Sequence, residues 1–350
     1  MPKHDIIVIG ASAGGVEALT YLVQYLPSDL NASVFIVLHV PSHGKSVLPQ
    51  ILNRAKGLNA HHAQDGEAIV AGQIYVAPPG YHLLIKPGHI HLARGPSENS
   101  HRPAIDPLFR TAARVYGRRV VGVVLTGVLD DGTAGLMALK NQFGVAVVQS
   151  PEDAMYSGMP RSAIENVKDV DYILPLSEIP AVLVELANKA VEGAEKPVSE
   201  EMEIESDIAE LKMTALNKDD RPGQPSGFVC PDCGGSLWEL HEGDLLRFRC
   251  RTGHAYSAET LLAEQSDALE DALWIALRAL KEKSSLSRRM AQRMRDRNHV
   301  LSANRLEEEA QNTDHRATII RNVLLNGKGD ATFDSDIFSD PNNLEPSDEK

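Results

Sequence analysis

Over the first half of the chain, short apolar runs rich in β-branched residues alternate with amphipathic stretches, the pattern of strands buried on both faces beneath helices. Residues 6–10, 34–39, 74–77, 120–125, 145–149 and 172–174 are the strand candidates. Helices are expected after Gly15, Gly44, Ile105, Gly132 and Met159, each start lying near a glycine, a proline or a small polar residue. Strand alternating with helix predicts an α/β fold with a doubly wound, mostly parallel sheet over residues 1–186. In LLIKPGHIHL the turn dipeptide Pro87-Gly88 separates two apolar runs and predicts one antiparallel hairpin.

Beyond Leu186 the pattern changes. Residues 187–226 are acidic, poor in large apolar side chains and then rich in turn formers, so they read as a flexible linker. Residues 227–256 form a small unit with two strand-like runs, GGSLWEL and LLRFRC. Over 257–326 a near-seven spacing, Leu262, Leu269 and Ala276 together with Leu273, Leu280, Met294 and Leu301, predicts a long helix or helical hairpin, interrupted at Lys283 and Ser287. Residues 327–350 read as an acidic, disordered tail. So apolar-poor a linker predicts that the 227–256 unit unfolds independently of the α/β unit.

Composition narrows the setting. A formal net charge of -13 opposes binding to phosphate backbones and sets nucleic acid aside as a main partner. No apolar run reaches spanning length and the N-terminus is not a signal peptide, so the chain is expected not to be an integral membrane protein. Three cysteines, two of them in Cys230-Pro-Asp-Cys233, cannot close a disulfide set and point to a metal and a reducing, cytoplasmic compartment.

The sharpest chemical signal is Gly10-Ala11-Ser12-Ala13-Gly14, a G-x-S-x-G pattern where the first strand turns into a helix. Such a turn lifts the Ser12 hydroxyl above the sheet and aims free N–H groups, Ala13 first, at a developing oxyanion. A glycine-rich turn also cradles phosphate, but the dinucleotide pattern needs glycine where Ser12 stands and an acidic residue at the end of the next strand. That strand ends in His39. Among the thirteen histidines His39 is placed best, with His43 its closest competitor. A carboxylate must hold the imidazole in one tautomer, and the loop LTGVLDDGTAG offers Asp130 and Asp131, either of which could instead cap the helix near Thr133.

The blocks GASAGG, LHV, RPAIDPLF, LTGVLDDGTAG and SGMPRSAI, in this order over about half the chain, resemble the catalytic domain of CheB-type protein-glutamate methylesterases. The resemblance implies the fold of that domain, with Ser12 as nucleophile, His39 as general base and Asp131, the aspartate before glycine, completing the triad. It implies hydrolysis of glutamate γ-methyl esters on chemoreceptors, releasing methanol, with glutamine deamidation as a second activity and no cofactor for catalysis. Two departures touch the oxyanion donors. Ala13 stands where a threonine often follows the serine, and Leu129 replaces a common glycine beside the second candidate, Val128 N–H. The best-known relatives carry an N-terminal receiver domain, and here the catalytic strand opens the chain, so phosphorylation in cis is not expected.

Cys230 and Cys233, followed by Cys250 and His254 in CRTGH, give C-x2-C…C-x3-H, the donor set of a structural Zn2+ in a zinc-ribbon-like module. His241 is a weaker fourth ligand. A patatin-like Ser-Asp acyl hydrolase would leave His39 idle and needs a glycine-rich loop well before the serine. A catalytically silent scaffold would bind partners through the ribbon and the 257–305 helix, which is in any case the expected site for a protein partner.

Overall fold

The structure is a computed structural model of the chain, describing residues 2–55, 57–193, 196–216, 223–242 and 245–326. The tail expected at 327–350 and parts of the 187–226 stretch lie outside the described residues. One compact unit extends to Glu264 and a second runs from Gln265.

Seven strands, β1 (Ile6–Ala11), β2 (Ser33–Leu38), β3 (Asn59–His62), β4 (Gln73–Val76), β7 (Val120–Val124), β8 (Val145–Gln149) and β9 (Tyr172–Leu174), form one parallel sheet in the order β3-β4-β2-β1-β7-β8-β9. Because side chains alternate across a strand, β1 sends Ile7 and Ile9 into one core and Ile6 and Val8 into the other. The first core is closed by α1 (Gly15–Gln24), α2 (Leu48–Leu52) and α6 (Ile179–Asn188). The second is closed by α3 (Ile105–Tyr116), α4 (Thr133–Asn141), α5 (Gly158–Asn166) and the hairpin β5 (His82–Lys86)–β6 (His89–Ala93), which turns at Pro87-Gly88 as expected. The predicted sheet is present. The edge strand β3 was not anticipated, since Asn-Ala-His-His carries almost no apolar signal.

The acidic stretch departs from the linker expectation. Residues Glu200–Ala209 form α7, capped by Ser199, whose hydroxyl accepts the Met202 N–H at 3.2 Å. A short turn of helix, α8 (Met213–Leu216), follows. α7 lies against α3, where Arg114 pairs with Glu203 and Glu210 at 3.1 and 2.9 Å and Lys86 reaches Glu210 at 2.5 Å. Acidic side chains that look solvent-directed in the sequence thus find basic partners on the α/β unit.

The ribbon is a four-stranded antiparallel sheet of β10 (Gln224–Val229), β11 (Ser236–Glu242), β12 (Leu245–Cys250) and β13 (Ala255–Ser257). It belongs to the same compact unit as the parallel sheet. Beyond it, α9 (Ala258–Asp296) and α10 (Val300–Asn326) form a helical hairpin that turns through Asn298, with Arg295–Glu307 and Lys283–Glu309 ion pairs at 3.2 and 3.1 Å. The buried positions differ from the predicted seam. Leu262, Leu269 and Leu301 are exposed, while Leu277, Ser284, Ser287, Ala291, Ala303, Ala310 and Ala317 are buried, because small side chains let two helices approach closely. Among the described residues no helix is long and apolar enough to cross a membrane.

Candidate active site

Chain order departs from β1 in both directions, to β2 on one side and β7 on the other, so the carboxyl ends of β1 and β7 flank a topological switch point, where ligands gather in such sheets. Ser12 directly follows β1 and His39 directly follows β2, one step beyond the Ala11–Leu38 register pair. The His39 N–H donates to Ala11 O at 3.1 Å and the Ser12 N–H to Thr126 O at 3.0 Å, which ties the serine turn to both neighbours. Gly14, at φ +74°, ends the turn in the left-handed region that glycine enters cheaply, and α1 begins at the next residue. Gly127 is required for a different reason. A Cβ there would stand 2.9 Å from Ser12 Cβ and 2.1 Å from the Met159 sulfur.

His39 Nε2 and Asp131 Oδ2 are 2.7 Å apart, with both side chains buried. His39 Nδ1 is buried and has no hydrogen-bond partner among the described residues. Asp131 is over-determined: Ile105 N–H donates to Oδ2 at 2.7 Å, and Asn99 Nδ2, Gly132 N–H and Asp106 N–H donate to Oδ1 at 3.0, 3.0 and 3.3 Å. Burial alone would push its carboxyl up, but the His39 hydrogen bond and charge, with the Ile105 N–H, hold it well below the usual carboxylate range. His101 stacks on His39 with ring centroids 3.6 Å apart, and burial first, then the neighbouring imidazole, lowers its pKa.

The two aspartates of the loop have different partners. Asp130 turns to the ribbon end, where Ser257 Oγ and Thr260 Oγ1 donate to it at 2.7 and 3.1 Å, and burial pushes its carboxyl up to about 6. Neither aspartate's side chain caps α4 in the way the sequence suggested. That part falls to Asp106, from the RPAIDPLF block, which accepts Gly132 N–H at 3.0 Å and Gly135 N–H at 2.6 Å. Burial and the Asp131 charge push the Asp106 carboxyl well up. Asn99 and Asp106 were missed as site residues because each acts through Asp131 or its loop, and no local motif marks that. Of the oxyanion candidates, Ala13 N–H and Val128 N–H donate no hydrogen bond among the described residues, and Leu129 beside Val128 takes φ +59°. His43 lies in the exposed loop after β2.

In the ribbon, the nearest ligand atoms of Cys230, Cys233, Cys250 and His254 all lie within 4.8 Å of one another. Cys233 Sγ and Cys250 Sγ are 3.7 Å apart, and His254 Nδ1 stands 3.6 Å from Cys230 Sγ and 3.5 Å from Cys250 Sγ. Sulfurs bound at about 2.3 Å in a tetrahedron sit about 3.8 Å apart, so the spacing fits a four-coordinate metal. His241 is elsewhere, exposed and paired with Glu239 at 2.9 Å.

A parallel sheet with Ser12, His39 and the Asp131 loop at its switch point defines the class, an α/β protein with a candidate site at that edge. The chain belongs to the CheB methylesterase family, which it matches over residues 7–183. It is 40% identical over 191 residues, 54% of its length and 98% of the relative's, to a Leptospira interrogans protein provisionally named protein-glutamate methylesterase/protein-glutamine glutaminase. A Pyrococcus horikoshii protein-glutamate methylesterase/protein-glutamine glutaminase is 36% identical over 197 residues, 55% of this chain and 52% of that one. The crystal structure of the Thermotoga maritima CheB methylesterase catalytic domain matches 53% of this chain and 99% of its own at 34% identity and a TM-score of 0.50.

Proposed function

We propose that the chain hydrolyses glutamate γ-methyl esters on chemoreceptor-type proteins, releasing methanol, and deamidates glutamine with the same groups: Ser12, His39 and Asp131. The observation that carries this reading is the 2.7 Å bond between His39 and Asp131 beside the Ser12 turn, in a chain of the methylesterase family. With Nε2 held by Asp131, Nδ1 is the ring nitrogen left to take the serine proton. Ser12 Oγ attacks the ester carbonyl as its proton passes to His39. Collapse of the tetrahedral intermediate returns that proton to the departing methoxide, giving methanol and a glutamyl ester on Ser12. Water, deprotonated by His39, then releases the glutamate carboxylate and restores the serine. Asp131 stays ionised throughout and stabilises the imidazolium. Ala13 N–H and Val128 N–H receive the oxyanion.

The Cys230, Cys233, Cys250 and His254 cluster is assigned to a structural Zn2+, since four protein donors leave no open position for catalysis. A protein partner of the 257–305 helix would meet the exposed Leu269, Trp274 and Ile275. A cytoplasmic location fits substrates on the inner part of receptors. Neither the patatin-like nor the scaffold reading gains support from the fold or the relatives.

Ser12→Ala should lower methanol release from methylated receptor membranes by about a thousandfold or more, with His39→Gln similarly damaging. Retention of most activity by Ser12→Ala would overturn the assignment.

A further inference from the structure

Both halves of the ribbon's cysteine-histidine cluster press on one loop of the α/β unit, residues 97–99 between β6 and α3. In the first knuckle, Asp232, between Cys230 and Cys233, accepts the Ser97 hydroxyl at 2.5 Å. In the second, Ala255, the residue after His254, donates its N–H to Ser97 O at 3.2 Å and accepts the Asn99 N–H at 2.8 Å. Two residues further, Ser257 N–H donates to Asn99 Oδ1 at 2.9 Å. The other end of that amide, Nδ2, donates to Asp131 Oδ1 at 3.0 Å and to Asp106 Oδ2 at 3.1 Å.

This arrangement decides which way the amide faces. Oδ1 can only accept and Nδ2 can only donate, so the N–H of Ser257 fixes the donor end on the two carboxylates. Asn99 also sits at φ +49°, the left-handed region that asparagine tolerates but does not prefer. Local bonds hold part of the loop, with Glu98 N–H donating to His101 O at 3.2 Å and His101 N–H to Glu98 O at 3.0 Å. The ribbon's closing strand adds the Ala255 and Ser257 contacts to Asn99, and that strand starts directly after His254.

Next to this strand is a buried ion cluster. Arg110 of α3 bonds Glu98 at 2.7 Å and Glu205 of α7 at 3.0 Å, while Arg249 of β12 reaches Glu98 and Glu205 at 3.4 Å each. Burial opposes the Glu98 charge, but the guanidiniums of Arg110 and Arg249 outweigh it and hold its carboxyl low. Glu98, the residue before Asn99, is thus tied to the ribbon as well, through Arg249.

We propose that Asn99 is a positioning residue for Asp131, held in register by the metal-closed ribbon, so that esterase turnover depends on a metal site that takes no part in the chemistry. The proposal rests on the Ser12-His39-Asp131 reading. Coupling runs from His254 through Ala255 and Ser257 to Asn99, from Asn99 to Asp131, and from Asp131 to His39. Each contact in it is a hydrogen bond or a chain link. Loss of the ribbon's fold releases the amide, and Asp131 then keeps only the backbone donors of α3 and α4 to aim it at the imidazole.

The test uses the full chain with zinc bound. Asn99→Asp keeps the shape and the acceptor for Ser257 N–H but sets a third carboxyl against Asp131 and Asp106 in place of the amide donor. It should retain zinc and lower kcat roughly ten- to a hundredfold with KM little changed, the size expected when a reacting group is misplaced by about 1 Å. Cys250→Ser should lose zinc, lower kcat by a similar factor on a soluble peptide ester, and speed amide hydrogen exchange over residues 97–101. The double variant should be no slower than the slower single variant, because both act through one contact. Full kcat in Asn99→Asp, unchanged exchange at 97–101 in Cys250→Ser, or losses that multiply in the double variant would each overturn the proposal. If Ser12→Ala is inert while Asn99→Asp is fully active, the triad stands and only this inference falls. Should Asn99→Asp fold poorly by circular dichroism, the exchange measurement on native protein before and after zinc chelation decides instead.

Discussion

In the centre of the parallel sheet, Ile7, Ile9, Ile36 and Val123 are fully buried among apolar neighbours, whereas at the seam between sheet unit and ribbon the buried side chains include Glu98, Arg110, Arg247 and Arg249. The two regions are dry for different reasons. Apolar burial is non-directional and roughly proportional to area, so the sheet tolerates exchanges that keep volume and pattern. The seam is stable only while each charge keeps its partners, because a buried charge left alone has nothing to offset its desolvation. A core of the first kind specifies a fold, and a seam of the second kind specifies one docking geometry.

The largest difference between the two regions should come from removing one charge. Arg110→Ala leaves Glu98 and Glu205 sharing only the more distant Arg249 guanidinium, and is expected to cost about 3–5 kcal/mol in urea unfolding. Ile36→Val, at the centre of the sheet, should cost roughly 0.5–1.5 kcal/mol. If Arg110→Ala proves the milder change, the seam is not held by its ions.

A smaller effect sharpens the comparison through pH. Asp130 faces the ribbon's end, and its carboxyl is raised to about 6 in the folded chain. The folded state therefore holds a proton that the unfolded chain has released, so Asp130's contribution to stability falls as pH rises from about 4 to about 6. Asn at this position still accepts from Ser257 and Thr260 without a charge. Asp130→Asn should gain stability relative to the native chain across that window, by up to on the order of 3 kcal/mol at pH 7, and melting curves at pH 4.5 and pH 7 would measure it. A gain of the same size at both pH values would mean that titration of Asp130 is not the cause. Asp131 runs the other way. Its depressed carboxyl contributes stability above the ordinary carboxylate pKa, lost as pH falls, so Asp131→Asn should be damaging at neutral pH.

The smallest expected effect lies in the loop between the two regions. Leu129 adopts φ +59°, where a side chain is strained, so Leu129→Gly should stabilise the protein by up to about 1 kcal/mol. A loss of stability on thermal unfolding would show that contacts of the leucine side chain outweigh the backbone strain.

Where periodicity and punctuation are strong, the chain could be read directly. The six strand candidates, the Pro87-Gly88 hairpin and the C-x2-C…C-x3-H spacing are local patterns, and the positions of Ser12 and His39 follow from strand ends. The acidic stretch was misread for a physical reason. Glu203, Glu205 and Glu210 resemble solvated charges until Arg114, Arg110 and Lys86, about a hundred residues earlier, are brought beside them. The helical hairpin was seen but its buried face was not, since its buried residues are mostly alanine and serine, with Leu277 among them.

The sequence by itself determined the α/β sheet, the family, the serine turn and the cysteine-histidine donor set, because each is written within a few residues or one repeating period. Only the tertiary structure decided that Asp106 caps α4, that Asp130 faces the ribbon's end, and that Asn99 joins the ribbon to Asp131. Those decisions depend on hydrogen bonds and ion pairs between residues distant in the chain, whose strength comes from a shared burial that no local pattern records.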